Sequence, residues 1–179
     1  MEQKSFDELI VLMDDPRVRR TLRRISYEIA ENNQSSDNLY ICGLNSRGHN
    51  IAVLLKKYVE EAGRGCADVI KIQSSLRYKE QKNNIPDLTG KHVVLVDDVI
   101  FSGKSMLRSF GFLLKKGEPS KIEIAVLVDR GHRIYPIEPT YTGLHYPTKL
   151  KEHVQVNITD NTDEIRVVLN SDYGLLFNY

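Results

Sequence analysis

The stretch HVVLVDDVIFSGKSML, residues 92–107, constrains the fold of this chain more than any other part of the sequence. An apolar run ends on two adjacent carboxylates, Asp97 and Asp98, and a short apolar link then leads to the turn SGKS at 102–105. A bounded apolar run predicts a buried strand, and the residues after the turn have the apolar spacing of a helix. The stretch therefore predicts a strand, a turn and a helix in succession.

The same spacing predicts alternating strands and helices over much of the chain. The expected strands cover 39–44, 68–72, 92–97 and 121–129, and the expected helices cover 16–33, 49–63 and 104–116. Residues 73–90 are polar without periodicity and predict a long loop or a poorly formed hairpin, and 130–150 predicts an irregular stretch. This order predicts an α/β fold whose central sheet is mostly parallel and flanked by helices.

The two ends of the chain carry weaker patterns. Ser5 followed by Glu8 forms a capping box, which predicts a short helix over 5–13. Asp15 is the expected N-cap of the next helix, with Pro16 at its first position. Residues 152–158 and 164–170 alternate around a polar turn and predict a C-terminal antiparallel strand pair. Without repeats or a linker, residues 1–179 are expected to form a single domain.

Composition excludes several classes of protein. The net charge of +1 gives no global attraction to nucleic acid, and no window approaches the roughly 20 apolar residues that span a bilayer. The first ten residues contain acidic side chains and no apolar core of a secretory signal. Cys42 and Cys66 have neither metal-binding nor redox spacing. They are typical of reduced cysteines, so we expect a cytoplasmic protein without a membrane segment.

The predicted strand end and turn favour a ligand with two chemically different parts. Ligands of open α/β sheets bind beyond the carboxyl ends of the strands, which is where Asp97 and Asp98 are expected. The first N–H groups of the following helix attract anions, and Gly103 allows a close backbone approach. Carboxylates accept hydrogen bonds from sugar hydroxyls, whereas the turn suits a phosphate. A sugar phosphate satisfies both.

Other interpretations of the stretch are less favoured. Adjacent aspartates can simply solvate a strand end. A P-loop requires another glycine five residues before the Gly-Lys pair, where this chain has Asp98. A dinucleotide-binding glycine loop is absent from the sequence. Receiver domains carry paired acids near their start, but only 81 residues follow Asp98 here, too few for the rest of that fold.

The segment VVLVDDVIFSGKS resembles the phosphoribosyl-pyrophosphate (PRPP) signature of type I phosphoribosyltransferases. The segment AVLVDRGHRIYPIEPTYTGLHYPTK is similar to a segment of the PyrR family, pyrimidine attenuation regulators that are also uracil phosphoribosyltransferases. ICGLNSRGHNIAVLLKKYVEE is similar to that family's first strand, pyrophosphate loop and helix. The resemblance covers most of residues 15–158 and implies the type I phosphoribosyltransferase fold.

The resemblance also implies residue roles. Asp97 and Asp98 inherit the binding of the ribose hydroxyls, and Arg77 is the best match for an arginine of the family's closing loop, whose sequence is otherwise altered over 74–86. The implied 5′-phosphate loop consists of Ser102, Gly103, Lys104 and Ser105. The implied pyrophosphate loop consists of Asn45, Ser46, Arg47 and Gly48. The implied base-binding side consists of Val128, Asp129, Arg130 and Arg133. The family's Mg²⁺ would lie near Asp97, Asp98 and Asp129.

Some of these roles have plainer alternatives. Asn45 stands where the family usually has Lys or Arg, and NSRG could be an ordinary strand–helix turn. Asp129 could orient a metal-bound water, Arg130 and Arg133 could form surface ion pairs, and His132 could be a structural hydrogen-bonding residue.

The implied function is PRPP-dependent conversion of uracil to UMP and pyrophosphate in pyrimidine salvage, with Mg²⁺. One alternative is an RNA-binding regulator, since the helix at 16–33 is rich in arginine. We discount it because Arg23 and Tyr27 replace a Thr and a His among the family's RNA-contacting residues, and Glu138 replaces an Arg. A non-catalytic PRPP-binding or nucleotide-binding relative is another alternative. The family is commonly oligomeric, so we expect a homo-oligomer, for which the apolar face of that helix could serve.

Overall fold

Five parallel strands form the main sheet of this chain. The computed structural model describes residues 9–33, 38–65, 68–74, 85–159 and 164–170. The main sheet has the spatial order β3-β2-β4-β5-β6, where β2 is Leu39–Leu44, β3 Ile70–Ile72, β4 His92–Ile100, β5 Lys121–Asp129 and β6 Tyr141–His145. Because all neighbouring pairs are parallel, the carboxyl ends of the strands meet at one edge of the sheet. The parallel α/β prediction is confirmed.

Helices cover both faces of this sheet. They are α1 (Asp15–Asn32), α2 (Asn45–Glu61) and α3 (Lys104–Leu113), which continues as a 3-10 turn over Leu114–Lys116. Along β4, Val94 and Val96 pack with α1 and α2, whereas Val93 and Leu95 pack with α3. This alternation is the two-residue period of a strand buried on both sides. Within the described ranges, no helix is long and apolar enough to cross a membrane.

A second, antiparallel sheet packs on α1. Its order is β1-β8-β7, with β1 at Ile10–Met13, β7 at His153–Ile158 and β8 at Ile165–Asn170. The predicted C-terminal strand pair is thus confirmed, and β1 adds a third strand. The apolar face of α1 lies in the core shared with this sheet, so that face is not available for a dimer. The oligomeric state itself stays a prediction.

The predicted helix over 5–13 is wrong in its described part. Residues 10–13 form β1, which pairs with β8 through contacts such as Ile10 opposite Leu169. Four consecutive apolar residues have no period that separates a strand from a helix, so the partner strand decides. The predicted capping pair Ser5 and Glu8 lies outside the described residues.

Two helix starts also differ from the sequence prediction. The N-cap of α1 is Asp14, whose Oδ1 accepts a hydrogen bond from Arg17 N at 2.9 Å, and Asp15 is already helical. Asp15 instead pairs with Arg19, one turn later, at 2.7 Å. The helix α2 begins at Asn45, so the NSRG segment forms its first turn.

The irregular stretch predicted for 130–150 contains a strand, β6. It is short, and its pairing with β5 places Thr142 opposite Val126. Gly143 permits this close approach, because a Cβ there would lie 2.5 Å from the carbonyl oxygen of Leu127. The strand β4 is also longer than predicted and continues through both aspartates to Ile100.

Candidate active site

Two adjacent acids lie near the carboxyl end of β4, at the edge where the parallel strands end. Asp97 is buried, with 9% of its surface exposed, and its Oδ1 accepts a hydrogen bond from Asp98 N at 3.0 Å. Asp98 Oδ2 lies 3.6 Å from Nη1 of Arg47. The β4 register therefore brings both predicted acids to this edge, with one arginine beside them.

The pKa of Asp97 is raised well above its usual range. Burial is the main cause, the neighbouring Asp98 charge is the next, and Arg47 opposes them only in part. Burial disfavours an ionised carboxyl, and a second carboxylate nearby disfavours it further. A cation bound beside the pair would offset these effects and favour the ionised form of Asp97.

The turn before α3 has the geometry of an anion-binding turn. Gly103 adopts φ +80° and is the N-cap of α3 without a side-chain capping bond, which leaves first-turn N–H groups for a ligand. Lys104 N donates to Ser102 Oγ at 3.3 Å. The Ser102 carbonyl accepts from Ile134 N and Tyr135 N, each at 3.1 Å. A cavity of about 110 Å³ is lined by Asp97 and residues 99–106, so it joins the acid to this turn.

The first turn of α2 lies against β4. Gly48 makes this possible, because a Cβ there would be 2.7 Å from the carbonyl oxygen of Val96 and 3.3 Å from Asp97 Oδ1. Asn45 has φ +52°, a left-handed conformation that Asn tolerates better than most residues. No side chain caps this helix start. The close approach places Arg47 beside Asp98, so the N-terminal turn of a second helix borders the acids.

A larger cavity, about 480 Å³, opens between the main sheet and β7. Arg47, Asp98, Phe101 and Arg130 line it together with Leu150, Lys151, Glu152, His153 and Val154. The pKa of His153 is lowered by burial and then by the charges of Arg130 and Arg47. Sequence reasoning missed residues 150–154, because they reach the site only through the packing of β7 against β4.

Arg130 joins the main sheet to the segment before β7. Its side chain is buried, Nε donates to Thr148 Oγ1 at 2.9 Å, and Nη2 donates to the Glu152 carbonyl at 2.5 Å. Its guanidinium lies 4.4 Å from the centroid of the Phe101 ring. Arg130 therefore lines the larger cavity with a side chain that is held in place, and it does not form the surface ion pair considered as an alternative.

Arg133 and Asp129 hold the loop after β5. Arg133 Nη2 lies 2.7 Å from Asp129 Oδ1, and its other nitrogens donate to the carbonyls of Phe101 at 2.8 Å and Ile137 at 2.9 Å. Val128 is fully buried within the sheet. None of these three predicted residues lines the two cavities described above, so the expected base-binding side is represented there by Arg130 alone.

His132 has the geometry of a structural hydrogen-bonding residue. Its Nε2 bonds to the carbonyl of Thr148, and its ring centroid lies 5.3 Å from that of Phe101. Both contacts hold the loop after β5 near the segment that leads to β7.

A metal at this site would depend on Asp97 and Asp98 with ligand or water oxygens. The described residues contain no group of three or more His, Cys, Asp or Glu placed to hold an ion. Asp97 lies opposite Val126, three residues before Asp129 on β5, so Asp129 lies roughly 10 Å further along. Two carboxylates with little compensating positive charge fit Mg²⁺, which keeps several non-protein oxygen ligands. Arg77 lies outside the described residues.

Comparison with known proteins agrees with this arrangement. The profile of the phosphoribosyl transferase domain matches residues 12–159. The Bifunctional protein PyrR of Listeria monocytogenes serotype 4b (strain CLIP80459) is 37% identical over 178 residues, covering 91% of this chain and 97% of that protein. The protein of the same name from Bacillus mycoides (strain KBAB4) is 37% identical over 175 residues, covering 90% and 97%.

Solved structures show the same fold at low identity. The HGPRT-ase of Leishmania tarentolae in complex with GMP has a TM-score of 0.70 at 17% identity and covers 90% of this chain and 96% of its own. The hypoxanthine phosphoribosyltransferase of Trypanosoma cruzi with IMP has a TM-score of 0.70 at 15% identity and covers 93% of both chains. Taken with the profile match and the PyrR relatives, the fold identifies this chain as a member of the type I phosphoribosyltransferase family.

Proposed function

We propose that this protein transfers the ribose 5-phosphate group of PRPP to uracil, forming UMP and releasing pyrophosphate. The observation that carries the proposal is that Asp97 shares a cavity with the α3 turn, while Asp98 and Arg47 border the adjoining part of the site. Two acids thus lie between two anion-binding turns. A sugar with a phosphate at one end and a diphosphate at the other matches this order of charges.

Each part of PRPP has a partner in the proposal. The ribose hydroxyls donate hydrogen bonds to Asp97 and Asp98, and the 5′-phosphate accepts from the N–H groups of residues 103–105. The pyrophosphate lies at the first turn of α2 beside Arg47. Asp97 and Asp98 would hold Mg²⁺, which when bound would supply positive charge against the negative charge of the pyrophosphate. Asp129 would contribute at most through a water.

The carboxylates also stabilise the reacting sugar. As the bond to pyrophosphate breaks, positive charge develops on the ribose ring, and fixed negative groups nearby lower the energy of that state. Burial of Asp97 strengthens the effect of its ionised form, because a buried charge is poorly screened. Asp97 and Asp98 are therefore the proposed catalytic acids, and Arg77 is retained from the resemblance as a third candidate.

Uracil is the proposed base because the VDRGHR segment resembles uracil phosphoribosyltransferases of the PyrR family. The larger cavity, about 480 Å³, is bordered by Asp98 and Arg47. Its apolar wall contains Phe101 and Val154, and its polar groups include Arg130 and His153. The solved structures of similar fold are named for hypoxanthine and guanine, so purines are the competing bases.

A screen of bases tests this proposal. Purified protein with Mg²⁺ and PRPP is given uracil, cytosine, hypoxanthine, guanine, xanthine, adenine or orotate, and nucleotides are separated by chromatography. We expect UMP, and at least about a 100-fold loss of rate in Asp98→Asn, because a group that stabilises developing charge is removed. Formation of a nucleotide from a purine but not from uracil would reject the base assignment. If no base yields a nucleotide, the proposed transferase activity is rejected.

An RNA-binding regulator is the second candidate, because the relatives are named bifunctional and α1 is rich in arginine. Most of these arginines have partners within the chain: Arg17 with the Leu12 carbonyl, Arg19 with Asp15, Arg23 with Glu61 and Arg24 with Glu28. Phosphate binding would have to compete with these contacts. A gel shift with the leader RNA of its own operon against random RNA decides this candidate, since equal binding would reject it.

The third candidate is a relative that binds PRPP or nucleotide without catalysis. It predicts PRPP binding by calorimetry together with no product in the base screen, a combination that the enzyme proposal excludes. For the protein as a whole, we infer a single domain over residues 1–179, a cytoplasmic role in pyrimidine salvage, and a homo-oligomer, whose mass light scattering measures directly.

A further inference from the structure

The first turn of α2 lacks the cation that the family usually has at its first position. Asn45 occupies this position, and its side chain is engaged with Ser74, which follows β3. Ser74 N donates to Asn45 Oδ1 at 3.1 Å, and Asn45 Nδ2 donates to Ser74 Oγ at 3.0 Å. Asn45 is therefore neutral and is held within the chain, so it does not replace the missing charge.

These two bonds explain why the position carries an amide. A lysine ammonium can only donate hydrogen bonds, whereas the amide of Asn45 both accepts from and donates to Ser74. Asn45 also has φ +52°, and asparagine tolerates this left-handed conformation better than lysine. Asn45 thus fixes the backbone of the turn but leaves Arg47 as the one cation among residues 45–48.

A cation reaches the same turn from the neighbouring strand. In the parallel pairing of β2 and β3, Lys71 lies opposite Gly43, one residue before the end of β2. The Lys71 ammonium donates to Ser46 Oγ at 3.1 Å. The Ser46 hydroxyl accepts this bond and keeps its own hydrogen for a further acceptor. A positive charge and a hydroxyl donor therefore lie side by side at the N-terminus of α2.

We propose that Lys71 is a substrate-binding residue for the pyrophosphate group, and that it supplies from β3 the charge that residue 45 lacks. The inference rests on the proposed function, because it assigns the diphosphate end of PRPP to this turn. A diphosphate needs more positive charge than Arg47 alone offers, since Arg47 also lies 3.6 Å from Asp98. Lys71 and Arg47 approach the turn from β3 and from α2, respectively.

Two probes separate the ends of the substrate: inorganic pyrophosphate with Mg²⁺, and ribose 5-phosphate. Each is titrated calorimetrically into wild type, Lys71→Gln, Lys71→Arg and Asn45→Lys/Lys71→Gln. We expect Lys71→Gln to bind pyrophosphate about 10-fold or more weakly, because a charged hydrogen bond is lost, and to bind ribose 5-phosphate within about twofold of wild type. Lys71→Arg should retain most of the affinity, and Asn45→Lys should restore part of it.

The matched control is Lys57→Gln. Lys57 is an exposed lysine of α2, eleven residues beyond Ser46, which is about 16 Å along a helix. The Lys57→Gln substitution removes the same charge at a position too far from the turn to contact a ligand there. In the transferase assay, Lys71→Gln should raise KM for PRPP more than it lowers kcat, whereas Lys57→Gln should change neither.

Several results would overturn the role of Lys71. The proposal fails if Lys71→Gln binds pyrophosphate as well as Lys57→Gln does. It also fails if Lys71→Gln loses affinity for ribose 5-phosphate as much as for pyrophosphate, which would indicate a structural defect. If wild type binds ribose 5-phosphate but not pyrophosphate, the pyrophosphate-binding role of Lys71 is refuted, whereas the proposed sugar-phosphate site is not. Wild type that binds neither would refute both this inference and the proposed function.

Discussion

At the scale of single residues, the site combines groups that conflict in the absence of a ligand. Asp97 is buried beside Asp98, and burial together with this neighbour raises its pKa. Gly103 and Asn45 adopt left-handed backbone conformations at the two turns that flank the acids. A buried acid and a non-glycine residue in the left-handed region cost stability, and such features are found where a protein prepares a site for a ligand. Substitutions at these positions should therefore separate stability from binding.

Asp97→Asn should stabilise the protein at neutral and alkaline pH while abolishing transfer. Because the folded pKa of Asp97 is raised, the folded state binds its proton more tightly than the unfolded state does. Stability from this group is complete below the unfolded pKa and is lost as pH rises through the folded pKa, by about 1.4 kcal/mol for each pH unit that separates the two pKa values. Asparagine cannot ionise, so this loss of stability with rising pH should be absent from Asp97→Asn.

Urea unfolding from pH 4 to pH 8 measures this effect. We expect the free energy of unfolding of Asp97→Asn to exceed that of wild type increasingly as pH rises. The variant keeps a side-chain oxygen that can accept the bond from Asp98 N. A constant difference across the whole pH range would show that the buried charge is not the cause.

Gly103→Ala should weaken the binding of ribose 5-phosphate about 10-fold. Alanine at φ +80° is strained by about 1 kcal/mol, which favours a shift of the turn away from the geometry that presents its N–H groups. Gly63→Ala is the control, because Gly63 has φ +78° and no neighbour within 4 Å of the added carbon. Calorimetric titration should show lost affinity only in Gly103→Ala, and equal affinities would contradict the assignment of this turn.

At the scale of elements, the sequence predicts those strands and helices whose pattern is local. The strands β2, β4 and β5 are bounded apolar runs, and α1 places Val18 and Leu22 on one face, where both are buried. The type of β1 and the existence of β6 depend on partners far along the chain, so their short sequences could not reveal them. The acids and the α3 turn were predictable because they follow a strong strand.

The Asp14 cap is a prediction at this scale, because it concerns where α1 begins. Asp14→Ala should lower the free energy of unfolding by about 1 kcal/mol, since the bond from Arg17 N is lost. Asp14→Ser retains a capping oxygen and should recover most of the loss. Urea denaturation compares the variants. If Asp14→Ala and wild type unfold at the same urea concentration, the cap contributes nothing to α1.

At the scale of the whole molecule, two sheets share one core and one cavity. Residues of α1, of the main sheet and of the β1-β8-β7 sheet belong to a single buried cluster. The larger cavity lies where β7 approaches the end of β4, with Arg130 as the hydrogen-bonded link. Sequence could not indicate this link, because its partners are a hydroxyl and a carbonyl 18 and 22 residues away.

Arg130→Met should destabilise the protein by at least about 2 kcal/mol, because the Glu152 carbonyl and the Thr148 hydroxyl lose a buried donor. Arg166→Met is the control: Arg166 is exposed on β8 and pairs only with exposed Glu164 among the contacts described, so about 0.5 kcal/mol or less is expected. Differential scanning calorimetry gives both values. It should also show one cooperative transition for wild type, as expected of a single domain. Equal losses in the two variants would show that Arg130 is not the link.

The central claim is that two acids between two anion-binding turns hold PRPP, and a crystal structure with PRPP and Mg²⁺ tests it most directly. We predict the 5′-phosphate on the N–H groups of residues 103–105, the ribose hydroxyls on Asp97 and Asp98, and the pyrophosphate beside Arg47 and Lys71. A 5′-phosphate found on the α2 turn, or a ribose without contact to either acid, would contradict the account.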